Sequence, residues 1–178
     1  MNTYIVLLKG INVGGHKKVP MAELRELLSK LGFENVHTYI QSGNVILQSL
    51  EKNTLKIEET IKNAMLDYFG FVVSVLVISR PNLKRVFDNS PFSEGKKKAS
   101  YFMMLHEIPD TELVKAASKK VYEGEEYKII KDCIYYFCEK GFGQAKFNAN
   151  FFERNLKTFA TARNYNTMVK LLSLSEEN

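Results

Sequence analysis

Tyr4-Ile5-Val6-Leu7-Leu8-Lys9-Gly10-Ile11-Asn12-Val13-Gly14-Gly15-His16-Lys17-Lys18-Val19-Pro20-Met21 is the stretch whose reading decides the fold. Tyr4 to Leu8 is an uninterrupted apolar run, as a buried strand requires. Pro20 suits the first position of a helix, where its missing N–H has no intrahelical partner to lose. Met21, Leu24, Leu27, Leu28 and Leu31 follow at helical spacing, and Gly32 ends that pattern. The glycine-rich basic loop Gly10 to Lys18 therefore joins a first strand to a first helix.

Downstream, Val36 to Ile40 and Val45 to Gln48 read as two short strands joined by Gln41-Ser42-Gly43-Asn44, which supplies hairpin turn chemistry. A second amphipathic helix carries Leu55, Ile57, Ile61, Met65 and Tyr68 on one side. After Gly70, the strand Val72 to Ile78 completes a β-α-β-β-α-β order. The second half repeats it more loosely: strand Ala99 to Leu105, helix Pro109 to Val121, strands Glu126 to Ile130 and Cys133 to Cys138, and a helix near Asn148 to Leu156. A short extended piece at Thr158 to Ala160 and a last helix from Ala162 to Leu174 finish the chain. The expected fold class is α+β, with two ferredoxin-like lobes in tandem, residues 1–80 and 99–178, the second with an extra C-terminal helix. Residues 81–98, with Pro81, Pro91, Gly95 and the run Lys96-Lys97-Lys98, read as a short helix and a solvated polar linker.

At 178 residues the chain can bury roughly 70% of its unfolded surface without disulfides or a structural metal. Its two cysteines, Cys133 and Cys138, stand five apart in one strand, so they face opposite sides and cannot pair with each other. The longest apolar stretch, Phe71 to Ile78, is far shorter than the ~20 residues that cross a bilayer. With no basic leader ahead of the first strand, the expected location is the cytoplasm. The formal net charge of +5 is spread over both halves, but it clusters locally. Lys9, Lys17 and Lys18 precede any acid, and residues 140–170 hold Lys140, Lys146, Arg154, Lys157, Arg163 and Lys170 against Glu153 alone. These are the two anion-facing candidates.

Leu8 to Met21, Gln41-Ser42-Gly43-Asn44-Val45, Ser90-Pro91-Phe92 and Thr161-Ala162-Arg163-Asn164-Tyr165-Asn166-Thr167 together resemble the bacterial domain of unknown function family 1697. Tyr165 departs from the tryptophan usual there while keeping an aromatic anchor. The resemblance implies tandem ferredoxin-like lobes and brings no activity to any residue.

In the first lobe, the loop Gly10 to Lys18 and the hairpin Gln41 to Asn44 share one end of the sheet, because the first and second strands run the same way. Gly10, Gly14 and Gly15 permit positive φ and close backbone approach, so their N–H groups suit an anion nest beside the helix that starts at Pro20. Asn12, Lys17, Lys18, Gln41, Ser42 and Asn44 complete the candidate ligand site. The same glycines equally serve a long loop that merely has to turn. Gly10 and Gly15 have the spacing of a Walker loop, but His16 follows and no hydroxyl comes after Lys17, so nucleotide hydrolysis by that device is excluded. His16 is the weak catalytic candidate, lacking a carboxylate in either turn to orient it. His37 and His106 stand alone, so no metal site and no cofactor is expected.

On the expected last helix, Arg163, Asn166, Thr167 and Lys170 form a polar stripe, with Arg163 in the first turn against the helix dipole. Arg163 and Asn166 are the remaining ligand candidates. Recognition of RNA by this fold needs exposed aromatics on the first and third strands. The first lobe's third strand has none, and Tyr101, Phe102, Tyr135 and Phe137 in the second read as core. The leading expectation is a binding protein for a phosphate-bearing or anionic ligand, nucleic acid among them. An enzyme acting on a small phosphorylated metabolite and a protein-interaction module are the alternatives.

Overall fold

The computed structural model describes residues 1–176. Strand β1 (Asn2–Lys9), helix α1 (Met21–Lys30), strands β2 (Glu34–Tyr39) and β3 (Asn44–Ser49), helix α2 (Thr54–Phe69) and strand β4 (Ser74–Ser79) build the first sheet. Its order is β2-β3-β1-β4, and every neighbouring pair is antiparallel. Helices α3 (Arg80–Asp88) and α4 (Glu94–Lys98) follow. Then β5 (Tyr101–Leu105), α5 (Thr111–Ala117), β6 (Glu125–Ile130), β7 (Cys133–Cys138), α6 (Ala149–Leu156) and β8 (Ala160–Asn164) repeat the pattern with sheet order β6-β7-β5-β8. Helix α7 (Tyr165–Leu174) ends the described elements. The chain is a tandem of two ferredoxin-like lobes. It forms two compact units, one from Met1–Lys84 with the segment beginning at Lys170, the other Arg85–Val169.

The first unit shows why Tyr4 to Leu8 is uninterrupted. Tyr4, Val6 and Leu8 share a core with Leu24 and Leu28 of α1 and Ile57, Ile61 and Met65 of α2. Ile5 and Leu7, on the other face of β1, are fully buried as well. A central strand covered on both faces has no position for a polar alternate. In the second unit, Met103, Ile134, Tyr136, Phe147, Phe152 and Leu156 form the corresponding core. Cys133 and Cys138 are both buried free thiols, and burial pushes the Cys133 thiol well above its ordinary pKa.

Several sequence expectations need correction. Leu55 and Tyr68 are exposed, while Glu58, on the α2 face that holds Ile61 and Met65, is buried. Its side-chain oxygen accepts the Val77 amide of β4 at 2.8 Å, which offsets the cost of burying a polar group. The lysine run lies in α4 and is solvated only at Lys98. Lys97 is nine-tenths buried with its ammonium 4.0 Å from the centre of the Phe87 ring, and Lys96 lies over Phe137 and pairs with Glu126. Long aliphatic stems can bury while their charges rest on aromatic faces.

The last strand also extends further than expected. Thr161, Ala162, Arg163 and Asn164 pair with Met104, Met103, Phe102 and Tyr101 of β5. The helix begins only at Tyr165, where the Asn164 side chain accepts the Thr167 amide at 2.9 Å as its cap. Arg163 is therefore a strand residue, and neither the helical polar stripe nor its dipole argument applies; Thr167 is buried.

Candidate functional site

The C-terminal end of β1 meets the hairpin between β2 and β3. Leu7 pairs with Asn44, and the Leu8 amide donates to the Gly43 carbonyl at 2.8 Å. Gly43 has φ +80°, and a Cβ there would lie 2.7 Å from Leu8 Cβ and 2.8 Å from Leu8 O. Only glycine lets the hairpin seat this closely. Asn44 is fully buried, its side-chain amide donating to Tyr39 O at 3.1 Å and Ser42 Oγ at 3.0 Å.

Asn12 ties the long loop to the hairpin. Its Nδ2 donates to Val19 O at 3.0 Å and Gln41 O at 2.8 Å, and its Oδ1 accepts the Val19 amide at 2.8 Å. Its backbone amide, at a φ of 55° that asparagine tolerates better than most residues, donates to Lys17 O at 3.1 Å. One side chain thus pins both ends of the loop and the neighbouring turn. Lys17 is occupied too: its ammonium donates to Val72 O at 2.8 Å and sits 6.0 Å from the Phe71 ring.

What remains available is the tip. Gly14, Gly15, His16 and Lys18 are exposed. Among the described residues, Lys18 has no hydrogen-bond or ion-pair partner, and the Gly14 and Gly15 amides have no acceptor. Among the described residues, His16 donates only its backbone amide, to Val13 O at 3.0 Å, and no carboxylate orients its ring. Gly10 bends the exit from β1 at φ +72°. Between tip, hairpin and α1 lies a groove of about 620 Å³. Asn12, Gly15, Lys18 and Gln41 give it a polar side, and Val19, Met21 and Ala22 an apolar one.

Pro20 precedes α1 as its cap residue and offers no side-chain acceptor, so the first-turn amides at the groove lack intrahelical and capping partners. Glu23, the acid of that turn, acts on Tyr68 of α2, where its charge pushes the phenol pKa up. The apolar wall was not singled out from sequence, where Met21 read only as part of the helical apolar spacing and Val19 was assigned no role. The proline in the cap position was the available signal.

The second unit provides an internal comparison. There the same two connections are residues 106–110 and 131–132, five and two residues. The Leu105 amide reaches Asp132 O at 2.8 Å, in the role of Leu8 and Gly43. The first unit uses eleven residues, 10–20, and four, 40–43. Closing this topology does not require the longer loops.

Arg163 and Asn166 lie in the second unit. Arg163 is buried on β8, its Nη1 donating to Thr161 Oγ1 and Ala162 O, each at 2.8 Å, and burial lowers its pKa to about 10. Asn166 is exposed in the first turn of α7. Phe102 and Tyr135 are buried, Tyr135 donating to Val86 O at 2.7 Å. Tyr101 stacks on Phe142, and Phe137 lies beneath Lys96. These four rings make no open base-stacking surface. No group of three metal-ligating side chains occurs among the described residues, and no described helix is long and apolar enough to cross a membrane.

A solved structure of a conserved bacterial protein, SP0830 from Streptococcus pneumoniae, is similar along 98% of both chains, with 26% identity and a TM-score of 0.75. No curated protein matches. Residues 1–135 match the family described as Protein of unknown function (DUF1697).

Proposed function

The chain belongs to the DUF1697 family, whose description assigns no activity, and we propose that the groove beside α1 binds a small phosphate-bearing molecule. The observation that carries this reading is the enlargement of one sheet end in the first unit alone, where eleven and four residues replace five and two. The added residues supply amides at Gly14 and Gly15 and an ammonium at Lys18 that have no partner among the described residues. They lie beside a helix start whose dipole favours negative charge. Val19, Met21 and Ala22 offer apolar surface to the remainder of the ligand, and about 620 Å³ falls within the usual span of small-molecule sites, roughly 300–1,000 Å³.

A single-stranded nucleic acid fits less well, because the aromatic positions on the strands are buried or covered. An enzymatic reading has no nucleophile and base within reach of one another at the groove. Calorimetric titration with inorganic phosphate, nucleotides and sugar phosphates tests the proposal. At least one ligand is expected to bind, with Lys18→Ala weakening it on the order of tenfold, as loss of one charge-assisted contact would. Lys17→Ala should weaken it less, since that ammonium is held by Val72 O. No binding by any of them, or equal effects of the two substitutions, refutes it.

A further inference from the structure

An open sheet has two edges, each a row of unpaired backbone groups that proteins normally blunt. Three of the four edges here carry a recognisable device. At β4 the Glu58 carboxylate takes the Val77 amide at 2.8 Å, and at β8 Glu153 takes the Ala160 amide at 2.9 Å. At β2 a bulge between Glu34 and His37 breaks the register, with Asn35 at φ 47°. Edge β6 has regular pairing to β7 from Glu125 through Ile130 and, among the described residues, neither a side-chain carboxylate on an edge amide nor a bulge; what marks it is the charge of Glu126 and Lys128. Beside it runs a groove of about 330 Å³ between the strand and the segment after α5, where Val121 is 75% exposed.

The register identifies which groups face outward. Glu139 N donates to Gly124 O, so Gly124 and Glu139 form a hydrogen-bonded pair. By antiparallel alternation, residues 126, 128 and 130 then bond to β7, and Glu125, Tyr127 and Ile129 direct their backbone groups to the open edge. The Glu125 amide is taken by Tyr122 O at 3.2 Å; among the described residues none takes those of Tyr127 and Ile129. We infer that β6 pairs antiparallel with β6 of a second copy of this chain, about a two-fold axis at Tyr127, joining two four-stranded sheets into one.

Two independent features agree with that occupant. A two-fold at Tyr127 sets Tyr127 opposite Tyr127 and Glu125 opposite Ile129 of the other copy: the two Tyr127 residues can exchange backbone hydrogen bonds, and each Ile129 amide can donate to the Glu125 carbonyl of the other copy, whose own amide stays with Tyr122 O. The same axis sets Glu126 opposite Lys128 of the other copy, twice by symmetry. Lys128 is exposed and has no ion-pair partner in its own chain among the described residues. Glu126 keeps Lys96 on its own chain, so each crossing pair extends an existing ion pair. Opposite charges directly across a strand pair stabilise it, and like charges oppose it. The segment after α5 then covers the partner strand with Val121.

Sedimentation equilibrium of the full chain tests this. A single strand pair buries a small interface, so dimers are expected at concentrations of about 100 µM with dissociation on dilution. Glu126→Lys alone and Lys128→Glu alone each place like charges across the axis and should leave monomers. An equimolar mixture of the two variants should recover the dimer mass, because each crossing pair is again opposite in sign. That recovery also shows both variants folded. A wild-type chain monomeric up to ~1 mM, or a dimer indifferent to both substitutions, overturns the inference, as does a mixture that stays monomeric.

Discussion

Replacing Gly43 with alanine tests whether the hairpin's seat on β1 shapes the groove. Two costs add at this position. A φ of +80° places an alanine in the left-handed region, at about 1–2 kcal/mol. The new Cβ would also lie 2.7 and 2.8 Å from Leu8 Cβ and O. Leu8 sits in a central strand at 1% exposure, so it cannot swing aside. Relief requires the hairpin to withdraw, stretching the bond from the Leu8 amide to Gly43 O, or the core to strain, at about 1–3 kcal/mol. The sum is roughly 2–5 kcal/mol, which in a chain of this size lowers Tm on the order of 10 °C. Gly10→Ala is the control: its φ is +72°, but nothing lies within 4 Å of a Cβ there, so only the backbone cost remains, a few °C or about 1–2 kcal/mol. Differential scanning calorimetry reads both. Equal Tm losses for the two variants would refute the close approach of hairpin and strand.

Two further outcomes follow from single side chains. Asn12→Ala removes three hydrogen bonds that join the loop's ends and the Gln41 turn, so it should cost about 1–3 kcal/mol and speed hydrogen exchange at the Val19 amide. Glu125 is pushed up by partial burial, yet the Phe147 and Lys146 amides and the Tyr136 hydroxyl hold its carboxyl below the ordinary pKa. A depressed folded pKa stabilises above the unfolded value, and that stabilisation is lost as pH falls through the folded one. The Tm deficit of Glu125→Gln relative to wild type should therefore be largest near neutral pH and shrink below pH ~4; a deficit independent of pH would contradict it.

The tandem topology was legible because strand and helix periods alternate cleanly, and the apolar run Tyr4 to Leu8 marks a central strand. The end of β8 was not. Thr161-Ala162-Arg163 has no period that separates strand from helix, and the choice is made by pairing with Met104, Met103 and Phe102, which are distant in sequence. The lysine run misled because charge implies solvent unless an aromatic face is supplied, and Phe87 and Phe137 supply it only through tertiary packing. At the candidate site, topology was enough to place the Gly10 loop beside the Gln41 hairpin. The division of labour within it was not readable: Asn12, Asn44 and Lys17 are taken up by carbonyls and hydroxyls of the scaffold, leaving Lys18 and the glycine amides outward. That outcome depends on which acceptors the loop meets when it folds back.

The proposed binding of phosphate at the groove is tested most directly by titrating isotope-labelled protein with inorganic phosphate and following backbone amides by NMR, against a chloride series at equal ionic strength. A phosphate-binding groove predicts saturable shifts at Gly14, Gly15, Lys18 and Ala22 that Lys18→Ala diminishes. Amides that move no more with phosphate than with chloride, or that move only elsewhere in the chain, would contradict it.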